Sequence, residues 1–429
     1  MNENRAIAEI TDQLQHDENQ LHSMFAELSK EFPPVCKCDA QEIFLDIIQQ
    51  ELFKVDDDSA LLTEADIYNN WPLVEAADAR ELKQFIEYDV FRAKRRTTMQ
   101  GQSINLVDCV WVRKWQWHPE TNAFRVKARL CARGCFDRQK HIIDKHSSTA
   151  SRLSQRLVCS LLMTQGLLYS ACENIIIASL DISGAFLQGM RLSELSARSR
   201  ELGYESRHRR EVYVVPPENV WRHFRKLVPK GHPLHVLDWD RMNWILFCLS
   251  AMYGFTDAPL LFQMALIHYL ITETNAIKSV WDDNFLFWFI MVNNIWRCIL
   301  VVTVHVDDLQ VIGGHNNIAW LTDKLEQRFG KLKVQYLPYT HTGIELEMIR
   351  PDCLLQHQEK FISQLKPHIF EDKERKKQTD SPCTKEETTS FRSVVCSCLW
   401  ACITRQDMMS QVTGLQAFLK TPTVLQLVE

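Results

Sequence analysis

The sequence predicts an α+β protein with an antiparallel sheet backed by helices at its centre, and three stretches carry that expectation. "FLFWFIMVNNIWRCILVVTVHV", Phe285 to Val306, has two apolar arms around an Asn-Asn pair and reads as a hairpin. "NIIIASLDISGAFLQG", Asn174 to Gly189, reads as an apolar strand with Asp181 near its middle. Helical stretches over 152–172 and Ala258 to Thr272 fall before and between them. Strand, helix and hairpin in this order give a mixed architecture rather than an all-helical or all-β one. The 429 residues are 46% apolar and 24% charged, which places the chain among ordinary globular proteins with room for two to four domains or one large multi-lobed enzyme.

In chain order, residues 1–70 are expected to form an acidic helical extension. "AIAEITDQLQHDENQLHSMFAEL" has apolar positions at helical spacing, Pro33 and Pro34 stop it, and "AQEIFLDIIQQELFKV" is a second amphipathic piece. From Trp71 the texture changes. A helix in "VEAADARELKQFIEYDVF" leads into the basic run Arg92 to Arg96, and two strands flank the turn "HPETN" within "VDCVWVRKWQWHPETNAFRVKARLCARG". Residues 191–240 are charged and irregular, with one short strand ending at Pro216 and Pro217. The longest apolar run, Phe285 to Val306, is broken by Asn293, Asn294 and Arg297, so two strands explain it better than a membrane span.

The net charge of −5 conceals an asymmetry. Residues 1–90 carry 21 Asp/Glu against 6 Lys/Arg, whereas residues 91–145 carry 13 Lys/Arg against 4 Asp/Glu. Such a basic block fits a polyanion such as nucleic acid, although a solvated charged surface would look the same. Fourteen cysteines are scattered without a secretory leader, in no paired C-x-x-C set and no zinc-knuckle pattern. They read as reduced, mostly buried thiols of an intracellular protein that is not secreted.

The candidate chemistry lies in "VVTVHVDDLQVIGG", Val301 to Gly314. A tight turn between its apolar arms would hold Asp307 and Asp308 at a rigid tip within reach of water and cations. Asp181 sits in an equally apolar strand. If the two strands are neighbours, their acidic oxygens converge and repel until divalent cations neutralise them. Oxygen ligands suit magnesium, and two such ions can activate a 3′-hydroxyl and stabilise a leaving pyrophosphate. An Asp-Asp pair is also an ordinary hairpin turn, however, and "VWDDNFLFW" supplies a second pair, Asp282 and Asp283, before another strand.

Six ordered pieces add to that reading: "VKARLCARG" (Val126 to Gly134), "SLDISGAFLQG" (Ser179 to Gly189), "EVYVVPPE" (Glu211 to Glu218), "LSAMYGFTDAP" (Leu249 to Pro259), "HVDDLQVIGG" (His305 to Gly314) and "HTGIELEM" (His341 to Met348). Together with the tail "FRSVVCSCLWACITRQDMMSQVTGL" they resemble the reverse transcriptase domain of copia-type retrotransposons, over roughly residues 75–420. The resemblance implies a right-hand polymerase: fingers over 71–150, a palm over 151–345 with an inserted fingers segment at about 190–255, and a thumb-like or connection-like region over 346–429. It implies an RNA-directed DNA polymerase that adds deoxynucleoside triphosphates to a DNA or RNA primer on an RNA template. Two magnesium ions, or manganese in their place, would be held by Asp181, Asp307 and Asp308.

By the same resemblance Phe186 lies beneath the incoming sugar and disfavours a 2′-hydroxyl. Lys127 and Arg129, at spacing two on one strand, face the triphosphate, with Arg133 sharing their parity. Tyr253 and Gly254 flank the nucleotide. Gln263 reaches the template, Gly343 belongs to the hairpin that holds the primer end, and His305, where tyrosine is common, stacks near that end. Departures from the family pattern are the long insertion "MRLSELSARSRELGYESRHRR", whose Arg207, Arg209 and Arg210 are expected to contact nucleic acid, and Cys396 and Gln406, where glycine and proline are usual. No protease, zinc-knuckle, integrase or ribonuclease H motif accompanies these pieces. The chain therefore reads as a detached piece of a retrotransposon polyprotein, or a genomic copy that has lost its neighbours, in a cytoplasmic particle or the nucleus and with no membrane, partnered by other polyprotein products. The alternative is a catalytically inactive relic that binds nucleic acid or serves as a scaffold.

Overall fold

A computed structural model of the protein describes residues 61–428, apart from 100–103, 119–122, 165–167, 171–173, 196–209, 240–242 and 371. The helices expected before residue 60 lie outside the described residues, as do Arg207, Arg209 and most of the "HPETN" turn. The chain divides into two compact units, one of residues 1–78 and 113–127 and one of residues 79–112 and 128–429. The class is α+β.

In the smaller unit, α1 (Glu64–Asn69) starts at a capping box in which Thr63 and Asp66 satisfy each other's backbone N–H groups. The unit also holds the start of α2 (Trp71–Glu87) and parts of β2 (Leu106–His118) and β3 (Ala123–Ala132). Arg113 makes a bidentate ion pair with the fully buried Asp78, at 2.6 and 2.9 Å. Along β3, Val126, Ala128 and Leu130 are buried while Arg125 and Arg129 are exposed and Lys127 is half-buried. That alternation sets Lys127 and Arg129 on one face, in agreement with their spacing.

Three sheets form among the described residues. The first has the order β1-β6-β5-β2-β3 and is built from β1 (Phe91–Arg95), β5 (Tyr213–Val215), β6 (Trp244–Cys248) and the pair already introduced. The basic run from Arg92 to Arg95 lies in β1. The second sheet, order β11-β4-β10-β9-β8-β7, carries the candidate site. Its strands are β4 (Ile175–Asp181), β7 (Ile277–Lys278), β8 (Phe285–Val292), β9 (Ile295–His305), β10 (Asp308–Gly314) and β11 (Lys333–Tyr336), all paired antiparallel. The third is a meander of β12 (Tyr339–His341), β13 (Ile344–Arg350) and β14 (Cys353–His357).

Helices α3 (Arg152–Thr164), α4 (Glu218–Leu227), α5 (Ala258–Thr274) and α6 (His315–Phe329) pack around these sheets, and α7 (Lys385–Ala401) and α8 (Met409–Gln416) form a C-terminal helical cluster. On one face of the central sheet, Ala178, Leu180, Val302, Val304, Leu309 and Val311 meet α5 and α6 through Leu266, Leu270, Ile318, Leu321 and Leu325. On the other, Ile175, Ile177, Val301 and Ile312 meet α3 through Val158 and Leu162, and the third sheet through Ile344 and Leu346. Burial on both faces explains why β4, β9 and β10 read as unbroken apolar runs instead of alternating ones.

The Asn-Asn hairpin forms as expected, Asn293 and Asn294 taking φ of 50° and 60° between β8 and β9. Two expectations need correction. The helix covers Arg152–Thr164, where the Thr164 hydroxyl bonds back to the carbonyls of Ser160 and Leu161, and residues 168–170 are not helical. Asp181 ends its strand rather than occupying the middle, because Gly184 takes a left-handed conformation (φ 65°) and the chain continues as the turn Ala185–Gln188.

Candidate active site

The hairpin joining β9 to β10 is as short as such a turn can be. His305 and Asp308 are register partners, leaving Val306 and Asp307 as its two loop residues. Val306 sits at φ 60°, a conformation that a β-branched side chain adopts at a cost of about 1–3 kcal/mol. The Ile182 N–H donates to the Asp307 carbonyl (3.1 Å), which ties the tip to the end of β4. The tip is therefore fixed against the strand end that carries Asp181.

One rung crosses four strands here: Lys333 of β11 is in register with Asp181, Asp181 with Asp308, and Asp308 with His305. Side chains of directly opposed residues stand about 5 Å apart at Cβ, so Asp181 and Asp308 are immediate neighbours. The electrostatics agree. Burial first, then the charges of Asp307 and Asp181, lift the Asp308 carboxyl to about 6, with Lys333 opposing. Burial, with Arg152 adding to it, lowers the basicity of His305, whose Nδ1 is buried without a hydrogen-bond partner.

Asp282 and Asp283 show what an Asp-Asp pair does when it is merely structural. Asp282 accepts from the Ser151 N–H (2.8 Å), the Ser154 hydroxyl (2.5 Å) and the Asn284 N–H (2.9 Å), which hold its carboxyl below the usual range even though burial works to raise it. Asp283 is exposed and pairs with Lys278 at 2.8 Å. Both carboxylates of this pair are thus taken up by named donors.

A second group gathers beside the carboxylates. Phe186 and Tyr253 make an edge-to-face pair at 5.9 Å, and the Arg129 guanidinium lies 5.0 Å over the Tyr253 ring. Burial, then Glu81 and Asp307, push the Tyr253 phenol up, so this ring lies within the field of the carboxylate tip. Gly254 (φ 91°) makes the arrangement possible. A Cβ there would stand 2.0 Å from the Ala132 carbonyl oxygen, and a Cβ on Gly134 would stand 2.1 Å from that of Gly254. Two glycines thus let the end of β3 lie against the 250s loop, sealed by the Ala132 N–H bond to the Tyr253 carbonyl (2.7 Å).

Other expected residues are placed differently. Gln263 is 3% exposed, and its amide is taken up by Ser147, Ser148 and Asn284, so it braces α5 and does not face a template. Arg133 lies over the Phe136 ring. Arg210, expected to touch nucleic acid, is fully buried between Asp137 (2.6 Å) and Asp257 (2.8 Å), because two carboxylates taken out of water need a bidentate cation. Gly343 (φ 77°) follows Thr342 (φ 47°) in the two-residue turn between β12 and β13, and a Cβ on it would meet the Trp400 ring at 3.1 Å. His341, just before that turn, is pushed down to about 4 by burial and by His305 and Arg152, so the turn lies near His305. Sequence reasoning missed Lys333 and Arg152 as contributors to the field of the site. Lys333 carried no signal, since only strand pairing brings it to Asp181.

Among the described residues, no group of three or more His, Cys, Asp and Glu side chains is set to hold a metal ion. Magnesium ordinarily takes one or two carboxylates and completes its shell with water and phosphate oxygens. A pair of opposed carboxylates, one of them lifted to about 6 by burial and then by the neighbouring charges, is a donor set that fits such an ion. Every described cysteine is free. No helix among the described residues is long and apolar enough to cross a membrane.

Two curated proteins align with most of the chain. Retrovirus-related Pol polyproteins from the transposons RE1 and RE2 of Arabidopsis thaliana are each 25% identical to it over 332 and 333 residues, 75% of this chain. Over that span the chain is similar to transposon Pol polyproteins. It spans 19% and 20% of the length of these relatives. No family profile matches the chain. Among solved structures, telomerase from Candida albicans in complex with a telomeric RNA fragment aligns at 11% identity and a TM-score of 0.33, covering 80% of this chain and 61% of that one. Telomerase from Candida tropicalis, also in complex with a telomeric RNA fragment, aligns at 10% identity and a TM-score of 0.36, covering 82% and 57%.

Proposed function

We propose that the protein is an RNA-directed DNA polymerase of the copia type, which extends a primer on an RNA template with deoxynucleoside triphosphates. The observation that carries this reading is the rung Lys333, Asp181, Asp308, His305 with Asp307 at its tip. In it the central sheet is the palm, and the sheet containing β3 belongs to the fingers.

Asp181, Asp307 and Asp308 are the residues that would hold magnesium. When bound, two such ions supply an activated 3′-hydroxyl and a stabilised pyrophosphate leaving group. The chain's own residues do the rest. The strained, stapled tip presents its carboxylates without a reorganisation cost at each turnover. Arg129, oriented over Tyr253, faces the triphosphate, and Lys127 shares its strand face. Phe186, braced by Tyr253, forms a wall that a 2′-hydroxyl would strike. His305 and the Gly343 turn border the primer end.

A second reading, nucleic-acid binding without catalysis, draws on the lack of a three-ligand group among the described residues. Primer extension on poly(rA)/oligo(dT) separates the two. Magnesium-dependent extension that Asp307→Asn abolishes supports the polymerase, and equal background from both proteins supports the binding module.

A further inference from the structure

Trp281 is 94% exposed, its chain neighbour Val280 86%, and Leu153, on the helix turn that Asp282 bonds through Ser151 and Ser154, 77%. Tryptophan is among the residues that gain most from burial, so a ring held in water calls for a cause. Looseness is not that cause. The loop is closed by the Ser279 N–H on the Phe285 carbonyl (2.8 Å) and the Phe285 N–H on the Asp282 carbonyl (3.0 Å). Asp282 fastens it to the first turn of α3, and Asn284 accepts from Gln263 (2.6 Å) and donates to Ser148 (2.9 Å). The ring stands on a rigid mount.

That mount adjoins the carboxylates. The Val304 N–H donates to the Asn284 carbonyl and the Ala150 N–H to the Val304 carbonyl, both at 2.9 Å, and Val304 is in register with Leu309. Asn284 is therefore two strand spacings, about 10 Å, from β10 and one rung from Asp308. Lys145 and His146 are exposed on the segment leading to Ser148, and Arg152 precedes Leu153 on α3. Of the acids nearby, Asp282 is held by its three donors, Asp283 pairs with Lys278, and the exposed Asp144 accepts from the His146 N–H (3.2 Å). An apolar platform flanked by Lys145, and close to the carboxylates, matches a stacked base and a flanking phosphate.

We propose that Trp281 is a stacking platform for an unpaired base of the nucleic acid that crosses the carboxylate face, with Leu153 and Val280 as its apolar surround. The partner's identity rests on the polymerase reading, while the platform rests on exposure and mounting.

The test is equilibrium binding of a short fluorescein-labelled single-stranded RNA, followed by anisotropy for the natural chain, Trp281→Ala and Trp281→Phe, with primer extension by the natural chain run in parallel. Stacking on one ring predicts that Trp281→Ala weakens binding about 5- to 100-fold, while Trp281→Phe keeps most of the affinity. Both variants should melt with the natural chain, since the ring is exposed. Unchanged affinity in Trp281→Ala overturns the proposal. So does a self-association of the natural chain, seen by sedimentation, that Trp281→Ala abolishes, because a second copy would then be the occupant. Loss of binding in Trp281→Ala, with no extension by the natural chain, sinks the polymerase reading and leaves the platform standing.

Discussion

Replacing Asp308 by Asn removes a charge that the fold holds at a cost. Burial and the neighbouring charges of Asp307 and Asp181 lift this carboxyl from an ordinary 3.8 to about 6. That gap corresponds to about 3 kcal/mol at most, and screening at the open end of the sheet brings the expected figure to about 1–2 kcal/mol. The sign follows from linkage: with the folded-state value above the unfolded one, the contribution is fully present below about pH 4 and is lost as pH rises through about 6. In metal-free buffer Asp308→Asn should therefore be more stable than the natural chain by about 1–2 kcal/mol at neutral pH, and the two should converge near pH 4. Paired urea titrations with a chelator, at both pH values, read this as a difference in midpoint at constant slope. Titrating groups away from Asp181 and Asp307 are common to both proteins and cancel in the comparison. An Asn variant that is equal or weaker at neutral pH would show that the three carboxylates do not repel one another, and the argument for a cation between them would fail.

Three further outcomes follow from the geometry. Arg210→Ala strands two buried carboxylates, Asp137 and Asp257, and should cost about 3–5 kcal/mol, whereas exposed Arg95→Ala should change the urea midpoint little; equal effects would refute the buried triad. Gly254→Ala drives a methyl into the Ala132 carbonyl at φ 91° and should lower stability by more than about 2 kcal/mol, read as a fall in melting temperature; a neutral outcome would mean that the β3 contact is not close. Phe186→Val should let ribonucleotides compete with deoxynucleotides by about tenfold or more in single-nucleotide incorporation, and an unchanged ratio would remove Phe186 from the sugar site.

The parts of the fold that could be read from the residues are those set by local chemistry. Asn293 and Asn294 tolerate left-handed backbone, so the hairpin they close was visible in the sequence, and the alternation in β3 placed Lys127 and Arg129 on one face. The apolar strands around Asp181 and Asp308 marked the central sheet, but not which residues would stand opposite each other. The rung became visible only with the register that sets Lys333 beside Asp181, which depends on long-range pairing. Arg210 misled for a related reason: a basic run looks solvated until a fold supplies two buried carboxylates to pair with one of its members. Gln263 misled because its helix is buried on nearly every side, leaving no polar face to mark it as a brace. Asp181 shifted from mid-strand to strand end because Gly184 turns the chain, and that glycine was in plain view within "DISGAF".

The central claim is that Asp181, Asp307 and Asp308 meet to hold divalent cations, and anomalous diffraction from crystals soaked in manganese examines it directly. The account predicts anomalous density between the side chain of Asp181 and those of the Asp307–Asp308 tip, lost in crystals of Asp307→Asn. Density at other sites with none between these carboxylates would contradict it.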